Sequence, residues 1–219
     1  MAEKPPVSPW LVLSVGVFAI STGAIFARMA DAPALVIAAY RTGLASLFLL
    51  PFTGAGTLRE ARGLSRKDLL TVVLSGGFLA LHFATWISSL FYTTVASSVV
   101  IVNAIPLWTG LLSPLLTGDP FSSRLKKGLL LALPGGVIIG WGDFALGGTA
   151  LWGDFLALLG SFFAALYILF GRRVRPRMSL TGYVTLNYGT SALVLWAVVA
   201  AMGLSPTGYS GMTWAAFFL

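Results

Sequence analysis

A histidine, an asparagine and two tryptophans recur in two consecutive apolar stretches, His82 and Trp86 in the first, Asn103 and Trp108 in the second. With about 1.5 Å of rise per helical residue and a turn near Thr93, His82 and Asn103 reach the same depth, roughly 15 Å from the turn. That is near the middle of a hydrocarbon core about 30 Å thick. Imidazole, amide and indole groups are costly against acyl chains, so their meeting at mid-depth points to a cavity or a neighbouring helix. The chemistry they offer is recognition: hydrogen bonds from amide and imidazole, stacking on indole, and at His82 either a structural hydrogen bond or a proton site, because imidazole titrates near neutral pH. Tyr183 and Asn187, on one face of a later stretch, complete a set of six candidate solute-binding residues. Arg41 lies about 9 Å along its helix from Leu35, where it snorkels outward or meets an anionic group or a structural partner. Pro106 removes one backbone hydrogen bond from its stretch and is the candidate hinge.

Catalysis is not indicated. No Asp or Glu lies inside an apolar span and His82 has no carboxylate near it in sequence, so neither an acid/base pair nor a nucleophile with its base is available. Without Cys and with one His, thiolate and multi-histidine metal sites are excluded, and no cofactor is implied. A retinal-type photoreceptor needs a Schiff-base lysine inside a helix, and the last complete span has none. The expected partners are a small solute, the lipid bilayer and, as a coupling ion, protons. A passive channel and a membrane fragment without transport of its own are the alternatives.

The elements that must position these residues are membrane helices. Among 219 residues, 57% are hydrophobic and 10% charged, with a mean hydropathy of +0.89, too apolar for a soluble domain of this size. The head, Met1 to Pro9, is followed by spans at Trp10–Met29, Leu35–Leu50, Leu69–Tyr92, Thr93–Leu116, Gly128–Trp141, Asp154–Phe170 and Leu180–Met202. From Met212 to Leu219 an eighth span begins and stops short of the roughly 20 residues a crossing needs. Span one carries a stripe of Ser14, Phe18, Ser21, Ile25 and Arg28, which is expected to pack against a neighbouring helix or, alternatively, to line a pathway. Small-residue stripes, Ala132, Gly136 and Gly140 in span five and Gly153, Ala157, Gly160 and Ala164 in span six, mark faces where helices approach closely. Span two is expected to end at Pro51, with a loop from Phe52 to Asp68.

Charge sets the orientation. With the N-terminus cytoplasmic, the loops after spans two, four and six hold 11 of the 14 Lys and Arg, and Lys4 adds one more. The loops after spans three, five and seven hold none, which is the positive-inside pattern. The net charge of +7 therefore reports topology, not a nucleic-acid partner. Retained as a span, the first helix is not a signal peptide. The expected location is the cytoplasmic (inner) membrane, multi-pass.

Three stretches carry a family resemblance: DAPALVIAAYRTGLASLFLLP (Asp31 to Pro51), LALHFATWISSLFYTTVASSVVIVNAIPLW (Leu79 to Trp108) and GDFLALLGSFFAALYILFGRRVR (Gly153 to Arg175). On these the chain resembles the EamA family of the drug/metabolite transporter superfamily. The resemblance implies an all-α polytopic bundle of two inverted five-helix repeats, ten spans in all, with both ends cytoplasmic and a central cavity. Here seven full spans and the start of an eighth would be present, with residues 1–150 the first repeat and 151–219 an incomplete second one, as in a truncated chain. Alternating access of the repeats would export small metabolites, amino acids or related compounds. Phe91 stands where the family often has Arg, and Gly118, Asp119 and Pro120 where it has a Gly-Glu pair, which leaves the role of that loop open.

Overall fold

The computed structural model describes residues 8–120, 123, 127–128, 130, 134–135, 138 and 147–218. The head with Lys4, Arg124, Lys126 and Asp143, and the expected fifth span apart from those scattered positions, lie outside the described residues. Eight α-helices carry the remainder, with no strand among the described residues: α1 Pro9–Met29, α2 Ala34–Gly63, α3 Arg66–Ser89, α4 Val95–Val102, α5 Ile105–Leu116, α6 Gly148–Val174, α7 Leu180–Ala201 and α8 Gly211–Phe218. Six segments are long and apolar enough to cross a membrane, α4 and α5 counting together as Val95–Leu116. The protein is a multi-pass helical membrane protein.

Three helices, α3, α4 and α7, start on short polar caps. Ser65 Oγ accepts from the Asp68 amide at 3.1 Å and donates to the Asp68 carboxylate at 2.7 Å. Thr94 accepts from the Ser97 amide and Ser179 from the Gly182 amide, both at 3.0 Å. Each supplies an acceptor to a backbone donor that the first helical turn leaves unpaired.

Two expectations about proline are corrected. Span two does not end at Pro51: α2 runs through it to Gly63, so Arg59, Glu60 and Arg62 stand on a helical extension and not in a loop. The ring costs the hydrogen bond to Leu47 O, four residues back, which membrane helices tolerate where neighbours or water satisfy the freed carbonyl. Span four, conversely, is not one kinked helix. Pro106 sits in the first turn of α5, where a missing N–H costs nothing. It cannot donate to Val102 O, four residues back, and α4 stops at Val102. The chain turns through Asn103 and Ala104, the Ala104 amide donating to Ile101 O at 3.0 Å.

Packing also departs from sequence order. The stretches on either side of Thr93 do not form the central pair. Helix α3 lies mainly against α6 and α7, α4 and α5 also rest on α6, and α2 lies along α7. Small residues decide this. A Cβ on Gly153 would stand 2.7 Å from the Thr93 amide nitrogen, and one on Gly160 would stand 3.1 Å from Trp86 Cβ, so the expected stripe on α6 is a contact face. The stripe expected on α1 is not: Phe18 and Ile25 are exposed, and the buried side is Gly23, Ala24 and Ala27. Removing a side chain lets backbones approach, which drives helix association where lipid supplies no hydrophobic force.

The two ends of the bundle differ. At one, Asp119 pairs with Arg172 at 2.8 Å, Asp68 with Arg177, and Glu60 accepts from the Ser179 amide and hydroxyl at 3.1 and 2.9 Å. The aspartate in place of the family's glutamate is thus engaged, tying the end of α5 to α6. Gly118 precedes it at φ +77°, a left-handed conformation that favours glycine. At the other end Tyr40, Trp196, Trp214 and Phe217 form an aromatic cluster, and Tyr40 donates to Pro206 O at 2.7 Å.

Candidate solute-binding site

Three of the six candidates meet around one turn of α6. His82 Nδ1 lies 2.9 Å from Gly160 O, and its ring stacks on Trp86, centroids 5.7 Å apart and planes inclined by 12°. Trp108 arrives from α5, donating its indole N–H to Ser161 Oγ at 2.8 Å, and Ser161 donates on to Leu158 O at 2.7 Å. The Gly160–Ser161 step permits this: a glycine lets Trp86 approach, and the adjacent hydroxyl receives the indole from the other side. Tyr167, from the same helix, places its ring 6.2 Å from His82.

Next to this cluster lies a cavity of about 620 Å³, lined by Arg41, Leu44, Phe48, Phe83, Tyr188, Phe217 and their neighbours. Phe83 is the partition between the two, its ring 5.0 Å from His82, 6.2 Å from Trp86 and 6.5 Å from Tyr188. Helices α2, α3, α7 and α8 supply the wall. Arg41 stands about 10 Å along α2 from Ala34, well inside the span. Its Nη1 donates to Gly23 O at 3.3 Å, so it braces α1 against α2 while lining the cavity.

The other candidates sit elsewhere. Asn187 is 2% exposed on α7, with Oδ1 lacking a hydrogen-bond partner among the described residues. The Trp86 indole N–H is buried and unpartnered in the same way. Buried polar groups are normally paired, and such exceptions collect at sites where a ligand or water completes them. Tyr183 is bound to Ser75 Oγ at 2.7 Å and donates to Tyr167 O at 3.3 Å, fastening α7 to α3 and α6. Asn103 is exposed at the end of α4, its amide N–H donating to Val99 O at 2.6 Å. Pro106 is likewise exposed, in the turn after the break.

Sequence spacing does not find Phe83, Tyr188 or Phe217 as cavity residues. Tyr188 lies one position from Asn187 and Phe83 one from His82, so each falls off the stripe its neighbour defines. Phe217 comes from the short α8, whose docking depends on tertiary contacts alone.

A family model described as the EamA-like transporter family matches residues 8–141. No curated protein matches the sequence. A solved structure described as "Crystal structure of protein" is similar in fold, with a TM-score of 0.59 at 19% identity over 90% of this chain and 74% of that one. The family match covers more than half of the chain, including α1 to α5 with His82, Trp86 and Arg41, and the helices around them have the length and apolarity of membrane spans. The chain therefore belongs to the EamA-like transporter family, membrane transporters of the drug/metabolite type.

Proposed function

We propose that the protein is a secondary transporter that exports small metabolites, amino acids or related compounds, across the cytoplasmic membrane. Two inverted repeats, residues 1–150 and 151–219, would alternate access to the centre of the bundle, with the N-terminus cytoplasmic. The observation that carries this reading is the cavity lined by Arg41, Phe83 and Tyr188, which Phe83 separates from the His82–Trp86 stack. Buried polar atoms without partners among the described residues, on Trp86 and Asn187, support it, since such atoms call for a ligand or water to complete them. Tyr183 and Asn103, whose polar groups are already engaged, fit structural duties better.

The test is export of toxic amino-acid and nucleobase analogues from cells carrying the protein, scored as growth resistance. His82→Ala and Trp108→Ala are each expected to lower resistance at unchanged membrane abundance. Full resistance in both variants would remove this cluster from the pathway. Flux that rises linearly with solute, without saturation, would favour a passive channel instead.

A further inference from the structure

We infer that the cavity takes a solute bearing a single carboxylate on an apolar body, with Arg41 holding the carboxylate, and that an amino group on that solute is not read. The inference rests on the transporter reading above and names its substrate class. Arg41 carries five N–H donors, and one is used, on Gly23 O. The ion pairs among the described residues involve Arg172 and Arg177, and none involves Arg41. A guanidinium inside a span without an anionic partner is costly, and such groups in membrane helices face partners or pathways. Arg41 faces this cavity.

Its position is also prepared. A Cβ on Gly23 would stand 2.7 Å from Arg41 Nη2, so glycine at that point allows the guanidinium to lie against the α1 backbone. The planar fork is then held in place, the arrangement that suits two parallel hydrogen bonds to a carboxylate. Tyr188 adds a hydroxyl to the same cavity. The rest of the described wall is apolar, Leu44, Phe48, Phe83 and Phe217 among it, and no described lining residue is a carboxylate that could receive an ammonium group. A carboxylate on a ring or a branched chain matches this wall, and an amine that lacks a carboxylate does not. The cavity is bordered by Phe48 and Phe218, which are 71% and 70% exposed, so a fatty acid from the bilayer offers the same chemistry and must be told apart from a water-soluble solute.

The experiment uses the full chain in phosphatidylcholine nanodiscs with radiolabelled 3-phenylpropionate as the probe, competed by phenylalanine, phenethylamine or palmitate. Binding displaced by phenylalanine but not by phenethylamine is expected. Arg41→Gln should weaken binding by about tenfold or more, since charge-assisted bidentate bonds are among the strong ones. Arg41→Lys should recover part of the loss, and Gly23→Ala should weaken binding with the charge intact. Displacement by phenethylamine equal to that by phenylalanine overturns the inference, as does unchanged affinity in a folded Arg41→Gln protein. Should Arg41→Gln fail to fold, the comparison of carboxylate with amine on the unaltered protein decides. Absence of 3-phenylpropionate binding overturns the solute assignment, and labelled palmitate bound through Arg41 would then assign the site to lipid. Carboxylate binding in a protein that moves no solute refutes the transporter reading alone, whereas saturable flux indifferent to Arg41 refutes the carboxylate site alone.

Discussion

Trp108 shows what a single polar contact does in this bundle. Its indole N–H reaches Ser161, while its ring meets Phe162 edge-on at 5.3 Å. Trp108→Phe keeps an aromatic ring in place and removes only the donor, and Ser161 still donates to Leu158 O. Hydrogen bonds between membrane helices average about 0.6 kcal/mol, so the variant should lose roughly that amount of stability. Thermal unfolding in detergent checks this, and a loss beyond about 2 kcal/mol would mean that the ring had lost its seat as well. The sequence allowed His82, Trp86 and Trp108 to be placed together, because polar and aromatic groups at one depth have few other places to go. It did not reveal that α6 receives them, or that the Asn103 amide turns back onto Val99. Those outcomes depend on where the helix breaks, and the break is set by a proline three residues further on.

At the scale of helices, Gly76 and Gly77 make a controlled pair. Both lie in α3, one residue apart and therefore about 100° apart around the axis. A Cβ on Gly76 would stand 2.5 Å from Thr190 Cβ and 2.9 Å from Asn187 O, at the crossing of α3 with α7, whereas one on Gly77 meets nothing within 4 Å. Gly76→Ala must push the helices apart and should destabilise by about 1–3 kcal/mol, the usual cost of overpacking. Gly77→Ala should be neutral or stabilising by up to about 1 kcal/mol, since alanine is the better helix former. Equal effects in thermal unfolding would show that α3 and α7 do not cross at Gly76. Span positions were legible from apolar runs, and the α6 contact face from glycine and alanine every three or four residues. The face of α1 was misread because Ser14 and Ser21 looked like packing residues, whereas the buried side is Gly23, Ala24 and Ala27, with Gly23 against the Arg41 guanidinium. Pro51 was misread because proline ends helices more reliably in water than inside a bundle. The cavity wall was not legible at all: Phe83, Phe48 and Phe217 read from sequence like any other lipid-facing aromatics.

For the molecule as a whole, the question is which end faces the cytoplasm. The ion pairs Asp68–Arg177 and Asp119–Arg172 and the Glu60–Ser179 link gather at the end that carries Arg59, Arg62, Arg66 and Lys67. The opposite end is tied by contacts that include Tyr40 on Pro206, the Asp31 amide on Thr213 Oγ1 at 3.0 Å and Arg28 over the Phe91 ring. Cations are retained on the cytoplasmic side because moving them across the bilayer during insertion is unfavourable, and the orientation proposed above rests on this asymmetry. The chain has no Cys, which lets single cysteines be introduced without preparing a background. Arg62 and Thr207 are both exposed and stand at opposite ends of the bundle. In intact cells, a membrane-impermeant maleimide should label Thr207→Cys and leave Arg62→Cys untouched until the membrane is opened. Labelling of Arg62→Cys alone would invert the bundle, and the cavity would then have to be loaded from the side on which export is now proposed to end. Labelling of both would mean dual insertion, which an excess of cations on one end opposes, and the orientation argument from charge would fail with it.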